Sequence, residues 1–268
     1  MIPLFAPSDD PGPDFATLLR RSGLTPLPQL AAAMDPHLVT HGTTCVAVRY
    51  TDGVVMAGDR RATSGNWISH RTIEKVFPAD RYSGVAIAGA AGPAVEMVKL
   101  FQLQLEHYEK VEGTVLSLEG KANQLSGMLR SNLPAAMAGM AVVPIFAGYD
   151  LSRGIGRLFQ YDITGGRYEE ADYASTGSGS LHASTVVKLG FTETLTAEEA
   201  IDLLLYALWQ AADEDSATGG PDLMRKIFPI VATITATGFE RVSDEDLEAR
   251  VRILLDKLDV RMGGGDPQ

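Results

Sequence analysis

His41-Gly42-Thr43-Thr44-Cys45-Val46-Ala47-Val48 is the stretch from which the rest of this chain can be understood. A glycine precedes two threonines, and a run of strand-forming apolar residues follows. Sixteen residues beyond Thr43 stands Asp59, in Gly58-Asp59-Arg60-Arg61-Ala62-Thr63; sixteen further stands Lys75, in Ile73-Glu74-Lys75-Val76. A hydroxyl, a carboxylate and an amine at these positions suit a hydrolase whose nucleophile is an N-terminal threonine. Threonine needs an adjacent base, and the α-amino group of a terminal residue can be that base. Its pKa of roughly 7.7–8 leaves part of it unprotonated at neutral pH, unlike a lysine near ~10.4. The amine exists only if the Gly42–Thr43 bond is cut, which makes residues 1–42 a propeptide and 43–268 the working domain. Thr43 and Thr44 alone would merely open a strand; Gly42, Asp59 and Lys75 turn the reading toward chemistry. Glycine at 42 also permits the tight bend by which the Thr43 hydroxyl would reach the carbonyl before it.

Outward from this stretch, the pattern predicts strands and helices in runs. Thr43–Tyr50 and Val54–Asp59 read as a hairpin around Thr51-Asp52-Gly53. Tyr82–Gly89 reads as a buried strand that stops at Gly89-Ala90-Ala91-Gly92-Pro93, with Pro93 suited to a helix's first turn. Val98, Phe101, Leu105 and Tyr108, then Leu118, Ala122, Leu125 and Leu129, mark the apolar faces of two successive helices. Strands are predicted over Val142–Tyr149, Arg157–Asp162, Tyr168–Thr176 and Phe228–Thr235. Helices are predicted over Ser180–Leu189, Ala197–Ala212 and around Leu247, Val251, Leu254 and Leu258. Thr196-Ala197-Glu198-Glu199 fits a capping box. Short links between strands favour antiparallel sheets covered by helices, an α+β class, over a parallel βαβ array.

Composition sets bounds. The chain has 268 residues, 45% hydrophobic and 21% charged, enough for a sizeable core. A net charge of −11 argues against nucleic acid or anionic membrane as partner. The lone cysteine, Cys45, has no internal disulfide partner, which fits a cytoplasmic setting. Met1–Arg21 lacks a signal-peptide pattern. Ser131–Tyr149 carries no charge, but its prolines and glycines favour a helix end running into a buried strand over a membrane span. Residues 1–42 are proline-rich, with one apolar turn at Phe15, Leu18 and Leu19, and read as a loosely ordered leader. The tail from about 261 reads as disordered. The five histidines show no metal-ligand spacing, and no Gly-x-Ser-x-Gly elbow, P-loop or dinucleotide fingerprint is present. No metal or cofactor is expected.

Thr43-Thr44-Cys45-Val46-Ala47, Gly58-Asp59-Arg60-Arg61, Lys75, Gly177-Ser178-Gly179 and Asp215-Ser216-Ala217-Thr218-Gly219-Gly220, in this order, resemble a proteasome β subunit of the actinobacterial type. The resemblance runs from Thr43 to about Ala236. It implies the four-layer αββα sandwich of the N-terminal nucleophile hydrolases. It implies Thr43 as nucleophile, Lys75 holding positive charge beside it, and Asp59 orienting Lys75. Ser178, Asp215 and Thr218 would hold the terminal amine and a water; the family often has serine where this chain has Thr218. Gly89, which ends an apolar strand, is the candidate backbone donor to an oxyanion. Ala62, Thr63, Ile73, Phe77, Ile87, Ala91 and Val95 would line the substrate pocket. None is charged, so cleavage after apolar residues is expected.

The same resemblance implies seven-membered rings of this chain stacked with α-type subunits, a regulatory ring ATPase, and unfolded or tagged protein substrates. The alternatives are a catalytically silent or α-type ring subunit, a small-molecule amidase of the same class, and a shorter bacterial peptidase. A silent subunit would lack one of Thr43, Asp59 and Lys75. An α-type subunit would carry a helical extension unlike the proline-rich leader. The amidases rarely carry the Asp215–Gly220 segment, and the shorter peptidase lacks so long a leader.

Overall fold

The computed structural model describes residues 42–261. The expected leader turn near Phe15 and the glycine-rich tail lie outside the described residues. In chain order the elements begin with β1 (Thr44–Tyr50), β2 (Gly53–Gly58), β3 (Ala62–Ser64), β4 (Trp67–His70), β5 (Val76–Asp80) and β6 (Ser83–Gly89). Helices α1 (Ala91–Glu112), α2 (Leu118–Ser131) and the short α3 (Leu133–Met137) follow, then β7 (Val142–Asp150), β8 (Ile155–Tyr161), β9 (Arg167–Glu170) and β10 (Tyr173–Gly177). The chain continues through α4 (Ser180–Gly190), α5 (Ala197–Glu214), β11 (Ile230–Thr235), β12 (Gly238–Arg241) and α6 (Asp244–Arg261).

Two five-stranded sheets carry the fold, in the orders β10-β1-β2-β11-β12 and β5-β6-β7-β8-β9, antiparallel throughout. Strand residues alternate between faces, and here both faces are buried. Val46, Val48, Val55, Ala57 and Val231 face outward and pack with Leu204, Leu208 and Val251 of α5 and α6. Cys45, Ala47, Val54, Met56, Ile230 and Ala232 face inward and meet Ala86, Ile145, Ala147 and Leu158 of the other sheet. The outer side of that sheet, with Val85, Ile87, Phe146 and Phe159, packs under α1 and α2 through Phe101, Leu105, Leu125 and Leu129. The result is the expected αββα sandwich. Burial on both faces explains why β1 and β2 read as near-continuous apolar runs.

Helix ends follow local chemistry. The capping box is present, with the Thr196 side chain accepting from Glu199 N–H and the Glu199 side chain accepting from Thr196 N–H. Gly113 ends α1 in the left-handed conformation. Ser131–Tyr149 resolves into α3 followed by β7, and among the described residues no helix is long and apolar enough to cross a membrane.

Three readings are corrected. Tyr168–Thr176 is not one strand: β9 belongs to the second sheet and β10 to the first, with the crossover at Ala171-Asp172. Residue alternation is the same on either side of such a crossing and does not register it. The turn of the first hairpin is Thr51-Asp52 alone, with Gly53 already paired to Tyr50. The hairpin β3–β4, and strands β5 and β12, have no counterpart in the sequence reading. Segment 60–73 lacks an apolar alternation because β4 is exposed along its length.

Phe146 stands between Phe101, edge-on at 5.9 Å, and Phe159, stacked at 5.9 Å. Replacing it with alanine is expected to cost about 3–5 kcal/mol, whereas Trp67→Ala, at a side chain 79% exposed, should change stability by less than about 0.5 kcal/mol. Denaturant unfolding of the two variants checks the contrast.

Candidate active site

Antiparallel pairing gathers the chemically interesting residues at one edge of the sandwich. Because β1 runs opposite to both neighbours, its start lies beside the end of β2 and the end of β10: Cys45 pairs with Gly58 and Thr44 with Gly177. Asp59 and Ser178 are the next residues along. In the second sheet, Val76 pairs with Ala86, and Ile87 N–H donates to the Lys75 carbonyl at 2.9 Å. Lys75 at the start of β5 therefore lies near Gly89 at the end of β6. The C-terminus of α5 adds Asp215, its capping residue.

Asp59 is wholly buried and Lys75 is 3% exposed. Lys75 Nζ donates to Asp59 Oδ1 at 2.6 Å and to the Arg61 carbonyl at 2.5 Å. Asp59 accepts three backbone bonds besides: Thr44 N–H at 2.8 Å on Oδ1, and Arg61 and Gly219 N–H, each at 2.8 Å, on Oδ2. Charge-assisted bonds of this number offset the large cost of taking a carboxylate out of water.

Thr43 is 5% exposed, and its hydroxyl donates to the Gly42 carbonyl oxygen at 2.8 Å. The hydroxyl thus lies against the peptide group that precedes it. Among the described residues it bonds to neither Asp59 nor Lys75, although Thr43, Lys75 and Gly89 border the same cavity. Gly42 N–H donates to Thr63 Oγ1 at 3.1 Å. The glycine at 42 answers a steric need. A Cβ there would run into the Cβ of Ala217. At Gly177 a conformational reason joins the steric one, since φ is +102° and a Cβ would strike the Thr43 carbonyl.

The second cluster joins the first through that carbonyl. Ser178 N–H donates to Thr43 O at 2.8 Å. The hydroxyls of Ser178 and Thr218 both donate to Asp215 Oδ2, at 2.5 and 2.6 Å, and Ala217 N–H donates to Oδ1 at 3.1 Å. Burial pushes the Asp215 carboxyl upward, but these bonds and the charge of His182 outweigh it and hold it below the ordinary value. The Thr218 hydroxyl reaches Asp215 directly. Cys45, between the sheets, has its thiol pushed up to about 12 by burial and is neutral at physiological pH.

Of the residues expected at the pocket, Ala62, Ile73, Ile87, Ala91 and Val95 line the cavity beside Thr43, whose volume is about 20 Å³. Thr63 instead engages Gly42, and Phe77 packs against the core beneath α1 and α2. Glu74 also borders the cavity and was absent from the sequence reading; its carboxylate is held by Arg241 at 2.9 Å. Also missed were Thr44, Gly179 and Gly219, whose part is played by backbone N–H groups or a buried hydroxyl. The sequence signals were the second threonine of the pair and the glycines within the two motifs, but neither names an atom. Among the described residues, no group of three or more His, Cys, Asp and Glu is placed to hold a metal ion.

Lys75→Ala leaves the Asp59 charge buried with backbone donors alone. Breaking a buried pair costs about 3–5 kcal/mol, and the retained N–H bonds place this case near ~3 kcal/mol. Urea unfolding of the uncleaved variant measures it; a loss below about 1 kcal/mol would contradict a charged, paired Asp59.

Comparison with known proteins agrees with this architecture. The family model described as proteasome subunit matches residues 39–225. The chain is 58% identical over 247 residues to a proteasome subunit beta of Acidimicrobium ferrooxidans, covering 92% of this chain and 90% of that one. It is 59% identical over 231 residues to a proteasome subunit beta of Streptomyces griseus, covering 86% and 81%. With two antiparallel sheets between helix layers and a family match over most of its length, this chain belongs to the proteasome subunit family.

Proposed function

We propose that this chain is the proteolytic β subunit of a 20S proteasome and that it hydrolyses peptide bonds as a threonine endopeptidase, with Thr43 as nucleophile. The observation that carries the reading is the Thr43 hydroxyl held 2.8 Å from the Gly42 carbonyl oxygen, beside a buried Asp59–Lys75 pair. Two relatives named as proteasome subunit beta support it.

Maturation comes first. Thr43 Oγ adds to the Gly42 carbonyl carbon, the Thr43 nitrogen leaves with a proton, and an ester links residues 1–42 to the Thr43 side chain. Water then hydrolyses the ester, releasing the propeptide as a carboxylic acid and restoring the hydroxyl beside a free α-amine. That amine is the base for subsequent turnovers. Lys75, kept charged and oriented by Asp59, favours the alkoxide-like state and lowers the amine's pKa. Asp215, Ser178 and Thr218 hold the amine and a water. Gly89 N–H is the donor to the developing oxyanion, a contribution of about 3–4 kcal/mol in comparable sites.

As a proteasome subunit, the chain would work within a barrel: seven-membered rings of its own kind, stacked with α-type subunits, in the cytoplasm. A ring ATPase would deliver unfolded or tagged substrates. The helix α1, whose exposed side carries Leu100, Leu103 and Tyr108, and its successor α2 are candidate ring contacts.

The cavity at Thr43 favours an apolar side chain before the scissile bond. Its wall residues Ala62, Ile73, Ile87, Ala91 and Val95 bring no charge. Glu74 is committed to Arg241 and Lys75 to Asp59. At about 20 Å³ the cavity suits one water; a leucine side chain requires its walls to part.

Two experiments test the reading. N-terminal sequencing of the active particle should begin Thr-Thr-Cys-Val-Ala, and Thr43→Ala should leave residues 1–42 attached and abolish peptidase activity; any other mature terminus would sink the mechanism. A panel of fluorogenic peptides ending in leucine, tyrosine, arginine or glutamate should release fastest from the first two. Faster release from arginine or glutamate would refute the pocket assignment.

A further inference from the structure

Thr44 follows the proposed nucleophile and has no role in the chemistry above, yet it is wholly buried and touches both polar clusters. Its backbone N–H donates to Asp59 Oδ1 at 2.8 Å. Its hydroxyl accepts from Gly179 N–H at 2.9 Å and lies 2.6 Å from Thr218 Oγ1. Thr218 in turn is 2.6 Å from Asp215 Oδ2.

The ends of this chain fix the direction of every proton in it. Gly179 N–H only donates, and an ionised carboxylate only accepts. The single Thr218 proton goes to Asp215, so Thr218 accepts from Thr44, and Thr44 spends its proton there while accepting from Gly179. We propose that Thr44 is a positioning residue, whose hydroxyl takes up the Gly179 amide and polarises Thr218 toward Asp215, so that the carboxylate is held in one orientation beside Thr43. Hydrogen bonds in series strengthen one another. Without the Thr44 hydroxyl, the Gly179 amide loses its acceptor and Thr218 loses its donor. Thr218, no longer polarised by a donor behind it, would hold Asp215 less firmly.

This inference rests on the threonine-peptidase reading, and the experiment separates the two. The other groups around Asp215 are His182 of α4 and Arg61, whose guanidinium donates to the Ser216 carbonyl; along the chain stand Asp213 and Glu214, with the Thr43 amine added after cleavage. None of them changes when Thr44 becomes valine, which keeps the branched shape of threonine.

In the assembled, cleaved particle, Thr44→Val is expected to lower kcat by about 10-fold, the effect of one lost buried hydrogen bond, with KM unchanged. Asp215 loses support for its ionised form, so the acid limb of the pH–kcat profile should move to higher pH. Thr44→Ser, which keeps the hydroxyl, should restore both. Thr218→Val and the double variant Thr44→Val/Thr218→Val should be equally impaired, since one chain is broken in each. Parental kcat and acid limb in Thr44→Val, an equal defect in Thr44→Ser, or multiplying losses would overturn the proposal. Should Thr44→Val fail to assemble, neutron diffraction of the unaltered particle decides: the proton between Thr44 and Thr218 must sit on Thr44 Oγ1, and its presence on Thr218 overturns the relay. A particle whose activity survives Thr43→Ala would instead defeat the peptidase reading.

Discussion

The buried charge of Asp59 is the constraint on which the site depends. Leaving water costs a carboxylate several kcal/mol even after relaxation, and here four donors from four places in the sequence offset it. Thr44 supplies one from the start of β1, Arg61 one from the link between β2 and β3, Lys75 one from the entry to β5, and Gly219 one from the loop after α5. A carboxylate that must be satisfied by all four cannot tolerate much relative motion among them. The same bonds that stabilise the charge therefore set the place of Thr43, one residue before Thr44.

Rigidity around this point comes from the layers. β1 and β2 are packed on both faces, against helices on one side and against the second sheet on the other. Between the sheets, small or unbranched side chains such as Cys45, Ala47, Met56, Ala86 and Ala147 interleave with the larger Val54, Ile145, Leu158 and Ile230. Lys75 comes from one sheet and Asp59 from the other, so close approach of the sheets is a condition for the ion pair. The Cys45 thiol, buried and neutral, behaves here as a small apolar filler.

Much of the fold was legible because its elements are long and strongly patterned. The helix pair α1 and α2 showed its apolar faces at helical spacing, and the Asp52-Gly53 pair marked the first hairpin. Illegible were the features whose signal is weak or absent: the exposed β4, the short β12, and the crossing from β9 to β10. Of the candidate site, Thr43, Asp59 and Lys75 were marked by their spacing after Gly42, while Ser178, Asp215 and Thr218 came with the resemblance of their motifs to a known family. The pocket was less transparent. Phe77 and Thr63 have pocket-like chemistry but point into other contacts, and Glu74 borders the cavity despite its charge.

By itself the sequence determined which residues carry reactive or ionisable groups, the approximate order of strands and helices, and the α+β class, the αββα layering being what its resemblance to a known family implied. Tertiary structure alone decided which backbone groups meet those side chains. That Gly42 is required for space beside Ala217, that Gly219 N–H reaches Asp59, and that Gly179 N–H sets the proton direction through Thr44 and Thr218 are all contacts between segments far apart in the chain. Every residue except proline offers the same N–H, so no residue type announces such a contact. It exists only once antiparallel pairing and sheet packing have brought the strand ends and the end of α5 to one edge.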